Sequence, residues 1–512
     1  MELINTTLLI ASVFFFFLAL KIINPGHRRK DGVRELPGPR NFPIFGSIHL
    51  MLGSKLPHYS FRDLSSVYGP IMRLKLGEIH VVIVSSAEGA REIMKTHDIV
   101  FASRSINKSI ETLFYGGKNI IFGPYGEFWR QLRRICTLEL LSTKRVRSFR
   151  AVREEEVSHL LQSVAASSGV ELNLSCKLAE IGNNVIARAV IGGRCADQEL
   201  FFSALSGAVE LVTGLTMVDL FPSLPFLGRI TGVQRRLEQC KTKLDSMLEN
   251  IIEEHVEKMM TKNSLVDNDE DQSSMEDLTD VLLRLQLEGN FQFPLSNDNI
   301  KAVISDLLLA GSETTSTLTE WVMTELIQNP EIMKKAQREV REVIGGSPRK
   351  LVEEEVTSGR LTYLQLVIKE TLRLHPPVPL LLSRENQESC EVMGYEIPLK
   401  STVLINMWAI ARDAKYWDDP NIFWPERFEG TSLDFRGSHF EYVPFGAGRR
   451  VCPGMQFGLS TVELVLTYLL YYFDWKYLGK KLDMGEAYGV SIRRESPLYL
   501  VPTLHFSLPI PV

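Results

Sequence analysis

Close to the C-terminal end, the loop Phe445-Gly446-Ala447-Gly448-Arg449-Arg450-Val451-Cys452-Pro453-Gly454 runs straight into an apolar stretch of helical pattern, Met455 to Trp475. The glycines at 446, 448 and 454 let the backbone come close to a large flat group and take dihedrals that a Cβ forbids. A thiol at the mouth of a helix feels the positive end of the dipole and unpaired amide N–H groups, and both favour thiolate. A thiolate binds metal and a thiol hardly does. Cys452 is therefore a candidate metal ligand, set against the commoner fate of a free cysteine as an inert buried residue.

The rest of the chain gives that cysteine a large body to sit in. It has 512 residues, 45% hydrophobic and 23% charged, with no Pro/Gly/Ser-rich linker dividing its interior and no internal repeat. One large catalytic unit with a substantial core is expected. The net charge of −5 excludes general nucleic-acid binding. The six cysteines, at 136, 176, 195, 240, 390 and 452, are scattered and include no C-x-x-C pair. Neither a disulfide scaffold nor a zinc site follows from that spacing, which fits a reducing compartment.

The first 23 residues differ in kind. Leu8 to Leu20 is apolar apart from Ser12, and Lys21 and Arg28-Arg29-Lys30 follow it. Residues 1–23 read as an uncleaved membrane anchor, about 20 residues being what a bilayer needs. A signal peptide would carry a basic region before the apolar run and a small-x-small site after it, and the sequence shows neither. Basic residues after the span leave the body in the cytosol. Residues 24–47 form a basic, proline-rich hinge, with Pro37, Pro39 and Pro43 stiffening it. Residues 48–512 are the catalytic domain.

The spacing Phe445, Gly448, Arg450, Cys452, Gly454 resembles the haem-binding loop of the cytochrome P-450 superfamily. In that family the cysteine thiolate is the axial ligand of haem iron and favours O–O cleavage. The resemblance implies a mainly α fold with a small β-rich region near the N-terminus, preceded by one transmembrane helix. It also implies haem b as cofactor, with O2 and NADPH-derived electrons as co-substrates.

Other motifs stand in the family's order. Ser296 to Asn329 reads as one long helix, stopped by Pro330 and interrupted by Ala310-Gly311-Ser312-Glu313-Thr314-Thr315. Glycine, a carboxylate and hydroxyls are locally unfavourable in mid-helix, and such conflicts mark function. The segment resembles the family's oxygen-binding helix: Thr314 would hydrogen-bond dioxygen, Glu313 would feed protons toward it, and Ala310 with Gly311 would leave it room. The bland alternative, a solvent-facing polar stretch, suits Ser312 and Thr315 better than Thr314. Leu361 to Leu374 also reads as helix, with Glu370 and Arg373 at i,i+3, and Arg427 completes the family's ion network as a structural member. Trp129, Arg133, Arg384 and Arg450 would hold the haem propionates. The basic run from 129 to 150 is a candidate dock for an acidic flavoprotein, the NADPH-cytochrome P-450 reductase; a cytochrome b-type donor is a second candidate.

The wording around Leu374 to Leu380, Asn406 to Asp413 and Leu482 to Gly489 is similar to the plant microsomal members, the family seventy-one type. That implies a single-pass protein of the endoplasmic reticulum membrane, with its catalytic domain cytosolic. The segments aligned with the family's pocket, Ser105 to Phe122, Phe201 to Val218, Asp306, Ala310, Val378 to Leu382 and Tyr488 to Ile492, are mainly apolar, which suits a small hydrophobic substrate. The expected reaction is insertion of one oxygen atom into a specialised metabolite, a terpenoid first, an alkaloid or phenylpropanoid second. A haem-thiolate isomerase or dehydratase needing no reductase is the rival class, against which Glu313-Thr314 speaks. A non-enzymatic haem sensor or carrier would need no oxygen-handling helix.

Overall fold

The computed structural model describes residues 34–51, 53, 56–193, 198–213, 216–264, 276–345, 352–489 and 491–508. The expected anchor, residues 1–23, lies outside the described residues, as does the first part of the hinge.

Helices dominate, and the longest at the centre of the body is Asn297–Gln328, opened by a capping box in which Ser296 and Asn299 satisfy each other's backbone N–H. Residues 299–309 and 317–326 of this helix are buried without interruption, so it is wrapped on all sides rather than amphipathic. It packs along Leu174–Ile191 on one flank and Met455–Tyr472 on another. Close approach to the first is made possible by two glycines: a Cβ on Gly311 would lie 2.6 Å from Ile186 Cδ1, and one on Gly182 would lie 2.9 Å from Ser312 O.

A four-stranded sheet forms the second layer. Ile71–Leu76 pairs antiparallel with Ile79–Val84, which runs parallel to Thr402–Ile405, and Arg384–Glu385 closes the edge. The period of two along the strands gives the sheet two apolar faces. Ile71, Val82, Val84, Val403 and Ile405 pack with Phe440, Val443 and Ala447, the run-in to the cysteine loop. Met72, Leu74, Val81 and Ile83 pack on the other side with Leu220 and Phe221. The base of the cysteine loop thus rests on the sheet.

Two expectations need correction. The β-rich region is not N-terminal alone, since half of the main sheet comes from residues 384–405, and a further sheet joins Leu172–Asn173, Tyr499–Leu504 and Phe473–Lys476. The last helix ends at Tyr472, not Trp475, because Phe473 to Lys476 pairs with the final strand. Helical pattern persists there, but the strand partner lies far along the chain. The described part of the hinge, from residue 34, lies along the sheet: Pro37 O accepts from Arg73 N at 2.8 Å and Ser47 N donates to Lys75 O. The segment Leu200–Leu220 has the length and apolar composition of a bilayer span. The helix Gln198–Thr213, which overlaps it, packs on Val233–Ser264 and the long central helix.

Candidate functional site

Cys452 lies between the short helical turn Gly448–Arg450 and the helix Met455–Tyr472. Its N–H donates to Phe445 O at 3.0 Å, closing the loop on itself. Gly448 has φ +67°, and a Cβ there would sit 2.3 Å from Met94 O, so only glycine fits. Gly446 is also left-handed, whereas Gly454, at φ −87°, is in an ordinary conformation, and a Cβ added there would meet nothing within 4 Å. Gly454 keeps space open rather than relieving strain. Phe445 packs edge-on against Phe435 at 5.4 Å. Burial pushes the Cys452 thiol pKa up, while the Gly454 amide, Arg133 and the Met455 amide pull it down. Its surface is nonetheless partly open, as for a thiol lining an internal space. The helix mouth alone therefore does not hold the thiolate; a cation bound to sulfur would.

Around the loop the arginines converge. Arg133, on the helix Glu127–Ile135, donates to Val451 O at 2.5 Å. Arg450 donates to Ala102 O, Ile120 O and Gly123 O, with its guanidinium 4.0 Å from the Trp129 ring centre. Trp129 in turn donates to Ile120 O at 3.1 Å. Arg384 bridges Asp98 (3.1 Å) and Ala447 O (2.8 Å). A fourth cation, Arg104, was not legible in the sequence: it donates to Ile121 O, Leu382 O and Ser383 O and is buried. Only the long-range approach of residues 104, 121 and 383 reveals it.

These four cations are too many for their surroundings. Burial lowers the Arg104 pKa well below its usual value, and Arg450, Arg384 and Arg133 lower it further. Arg450 falls to about 9, from burial and then from Arg384 and Arg133. Burial lowers Arg384 as well, with Asp98 opposing, and Arg133, with Cys452 opposing. Asp98 is shared with Arg449. A buried surplus of positive charge calls for an anionic partner.

The third wall is the central helix. Between its two buried runs Ala310 is exposed, and Gly311, Glu313 and Thr314 are partly so. An uncovered flank in mid-helix, deep in the body, faces a space rather than solvent. Ser312 and Thr315, which the sequence left as outward residues, are buried against neighbouring helices; Gly458, six positions along from Cys452 in the loop's own helix, faces Thr315 Oγ1. The Thr314 hydroxyl rests on Ala310 O at 2.7 Å, and Glu313 accepts from Ser491 Oγ at 3.0 Å. Asp306, one turn earlier, does not line a pocket. It accepts from Asn119 Nδ2, Ile120 N and Ile121 N and is 1% exposed.

Below the loop, Glu370 takes both ends of the Arg373 fork at 2.7 and 2.8 Å, with Arg427 Nε at 3.0 Å and Trp424 N at 2.9 Å on the same carboxylate. Arg373 spends its other donors on Ala411 O, Pro420 O and Ile422 O. One carboxylate thus serves two arginines, whose remaining donors go to backbone carbonyls.

A thiol ligand, a surplus of buried arginines for two carboxylates and an uncovered helix flank fit one flat dicarboxylate group between them. They define a haem protein of the thiolate-ligated class. The Cytochrome P450 family model matches residues 36–501. The chain is 47% identical over 499 residues to desmethyl-deoxy-podophyllotoxin synthase of Sinopodophyllum hexandrum, covering 97% of this chain and 96% of that one. It is 44% identical to premnaspirodiene oxygenase of Hyoscyamus muticus, with 96% and 98% covered, and 43% identical to Cytochrome P450 71D7 of Solanum chacoense, with 99% and 100% covered. A zebra fish cytochrome P450 solved with abiraterone superposes with a TM-score of 0.73 at 25% identity, covering 88% of this chain and all of that one. The chain belongs to the cytochrome P450 family, among plant enzymes of the family 71 type, and is a haem-thiolate monooxygenase.

Proposed function

We propose that the enzyme inserts one oxygen atom from O2 into a hydrophobic terpenoid, by hydroxylation or epoxidation, with NADPH electrons delivered through a flavoprotein reductase. For a hydroxylation the balance is RH + O2 + NADPH + H+ giving ROH + H2O + NADP+. The observation that carries the reading is the uncovered flank Ala310 to Thr314 on a helix otherwise buried, beside a thiol and four arginines. Haem b bound there supplies O2 activation. Cys452 would hold the iron; Arg104, Arg133, Arg384, Arg450 and Trp129 would hold the propionates; Phe445, Gly448 and Gly454 would shape the thiolate side. Ala310 leaves room for O2. Thr314 would turn its hydroxyl from Ala310 O toward the oxygen, and Glu313 would move a proton to it.

Terpenoid chemistry is supported by relatives named for it, such as premnaspirodiene oxygenase. A phenylpropanoid or alkaloid substrate is the second reading, favoured by the 47% identity to an enzyme named for desmethyl-deoxy-podophyllotoxin. Residues 1–23 would anchor the protein in the endoplasmic reticulum membrane through the 24–47 hinge, with the 48–512 domain cytosolic; exposed Phe42, Phe45, Phe226 and Ile230 support membrane contact. The test is a panel of terpenoids, phenylpropanoids and alkaloids incubated with reductase-containing microsomes. Products heavier by one oxygen, formed only with NADPH, are expected from the terpenoid set. Isomerised or dehydrated products formed without NADPH would overturn the monooxygenase reaction.

A further inference from the structure

The acidic partner of Thr314 is not free to rotate. Glu313 Oε1 accepts from Ser491 Oγ at 3.0 Å, and Ser491 Oγ lies 3.0 Å from Thr317 Oγ1, one turn further along the helix that carries Glu313. Ser491 has no exposed surface and Thr317 is 4% exposed. The next residue is fastened on both sides: Ile492 O accepts from Trp321 Nε1 at 2.9 Å, and Ile492 N donates to Pro377 O at 2.8 Å. A Cβ on Gly489 would stand 3.0 Å from Ser491 O and 3.4 Å from Glu313 Oε1, so the glycine lets the backbone pass close to Ser491.

Because a carboxylate only accepts, Ser491 must donate to Glu313 and therefore accept from Thr317. A protonated Glu313 can donate, which lets the Ser491 hydroxyl turn round. The chain Thr317 to Ser491 to Glu313 thus fixes the carboxyl in place and keeps a hydrogen-bond partner beside it whichever way the proton lies. We infer that Ser491 is a positioning residue for proton delivery, holding Glu313 in place with Thr317 behind it. This rests on the reading of Glu313 as the proton donor.

The test uses the full-length haem-loaded enzyme with reductase in vesicles. NADPH oxidation and H2O2 release are read in H2O and D2O, with and without premnaspirodiene as a hydrophobic probe, so no product is required. Ser491→Ala is expected to slow NADPH oxidation by about tenfold or more, the effect of losing one charge-assisted hydrogen bond, and to raise the solvent isotope effect. Ser491→Thr keeps the hydroxyl and should keep both near the parent values. Glu313→Gln should reproduce the Ser491→Ala phenotype, and the double variant should be no worse than Glu313→Gln alone. If Glu313→Gln moves rate and isotope effect while Ser491→Ala moves neither, the Ser491 role is overturned and the proton-donor reading stands. If Glu313→Gln moves neither, that reading itself fails, and this inference with it. Should Ser491→Ala not load haem, Thr317→Val removes the donor behind Ser491; a smaller change of the same sign is expected, and none would overturn the chain.

Discussion

Asp306 shows how much one residue can cost a fold and still be kept there. Burial pushes its pKa up to about 7, although Ile121 N, Asn119 Nδ2 and Ile120 N all donate to it and pull it down. The sign follows from linkage. A folded pKa above the unfolded value means stability is full below about pH 4 and is lost as pH rises toward 7, by at most about 1.4 kcal/mol per unit. Asp306→Asn imitates the neutral acid, including the mismatch it presents to Asn119 Nδ2. Thermal melts of the variant and parent should therefore coincide near pH 4 and separate by pH 8, with the variant the more stable. A variant less stable at pH 8 would show that the three donors outweigh burial. What the ionised carboxylate gains is an anchor: it ties the segment carrying Ile120 O, an acceptor for both Trp129 and Arg450, to the helix that carries Thr314.

At the scale of elements, the Glu370 group joins the helix Thr362–Leu374 to the irregular stretch that ends in the cysteine loop. Its three charges are buried, so their pairing adds little net stability, but removing one partner strands the others. Glu370→Gln should cost about 3–5 kcal/mol on that account, read as a fall in the urea midpoint of unfolding, with Arg427→Lys costing less because the charge facing Glu370 is kept, although an ammonium reaches fewer of Asp418 O, Asp419 O and Ile422 O. A midpoint unchanged in Glu370→Gln would mean that the backbone carbonyls alone hold both arginines. The group was legible only through its resemblance to the family's Glu-x-x-Arg helix and the Arg427 motif, since an i,i+3 pair by itself is commonplace on a surface. The long central helix was legible from its apolar spacing, which runs up to the Pro330 stop. Contacts between distant segments were not legible. Arg104, Asp98 and Ser491 occupy no periodic pattern, and each matters only through a partner more than a hundred residues away. The end of the last helix was misread for the same reason: Phe473 to Lys476 becomes strand only when Tyr499–Leu504 lies beside it.

Across the whole molecule, the basic run from 129 to 150 lies against the cysteine loop and the helix that follows it. Arg133 turns inward to Val451 O, and Thr143 Oγ1 donates to Gln456 Oε1 at 2.9 Å, which fastens the run over the start of the cysteine helix. Several of its charges are spent locally: Arg130 on Glu127, Arg150 on Glu354 and Arg145 on Glu139 O and Glu276. Arg134, Lys144 and Arg147 remain exposed, beside Arg449 from the loop itself. A partner carrying negative charge would be steered to this face, beside the cysteine loop. Reversing Arg134 and Arg147 to glutamate should slow reductase-driven NADPH turnover about tenfold at low ionic strength. The deficit should narrow as salt rises above roughly 0.15 M, where the screening length is about 8 Å. Peroxide-driven turnover needs no partner and should be unchanged, so equal loss of both activities would mean that the reversals damage the haem site rather than the dock.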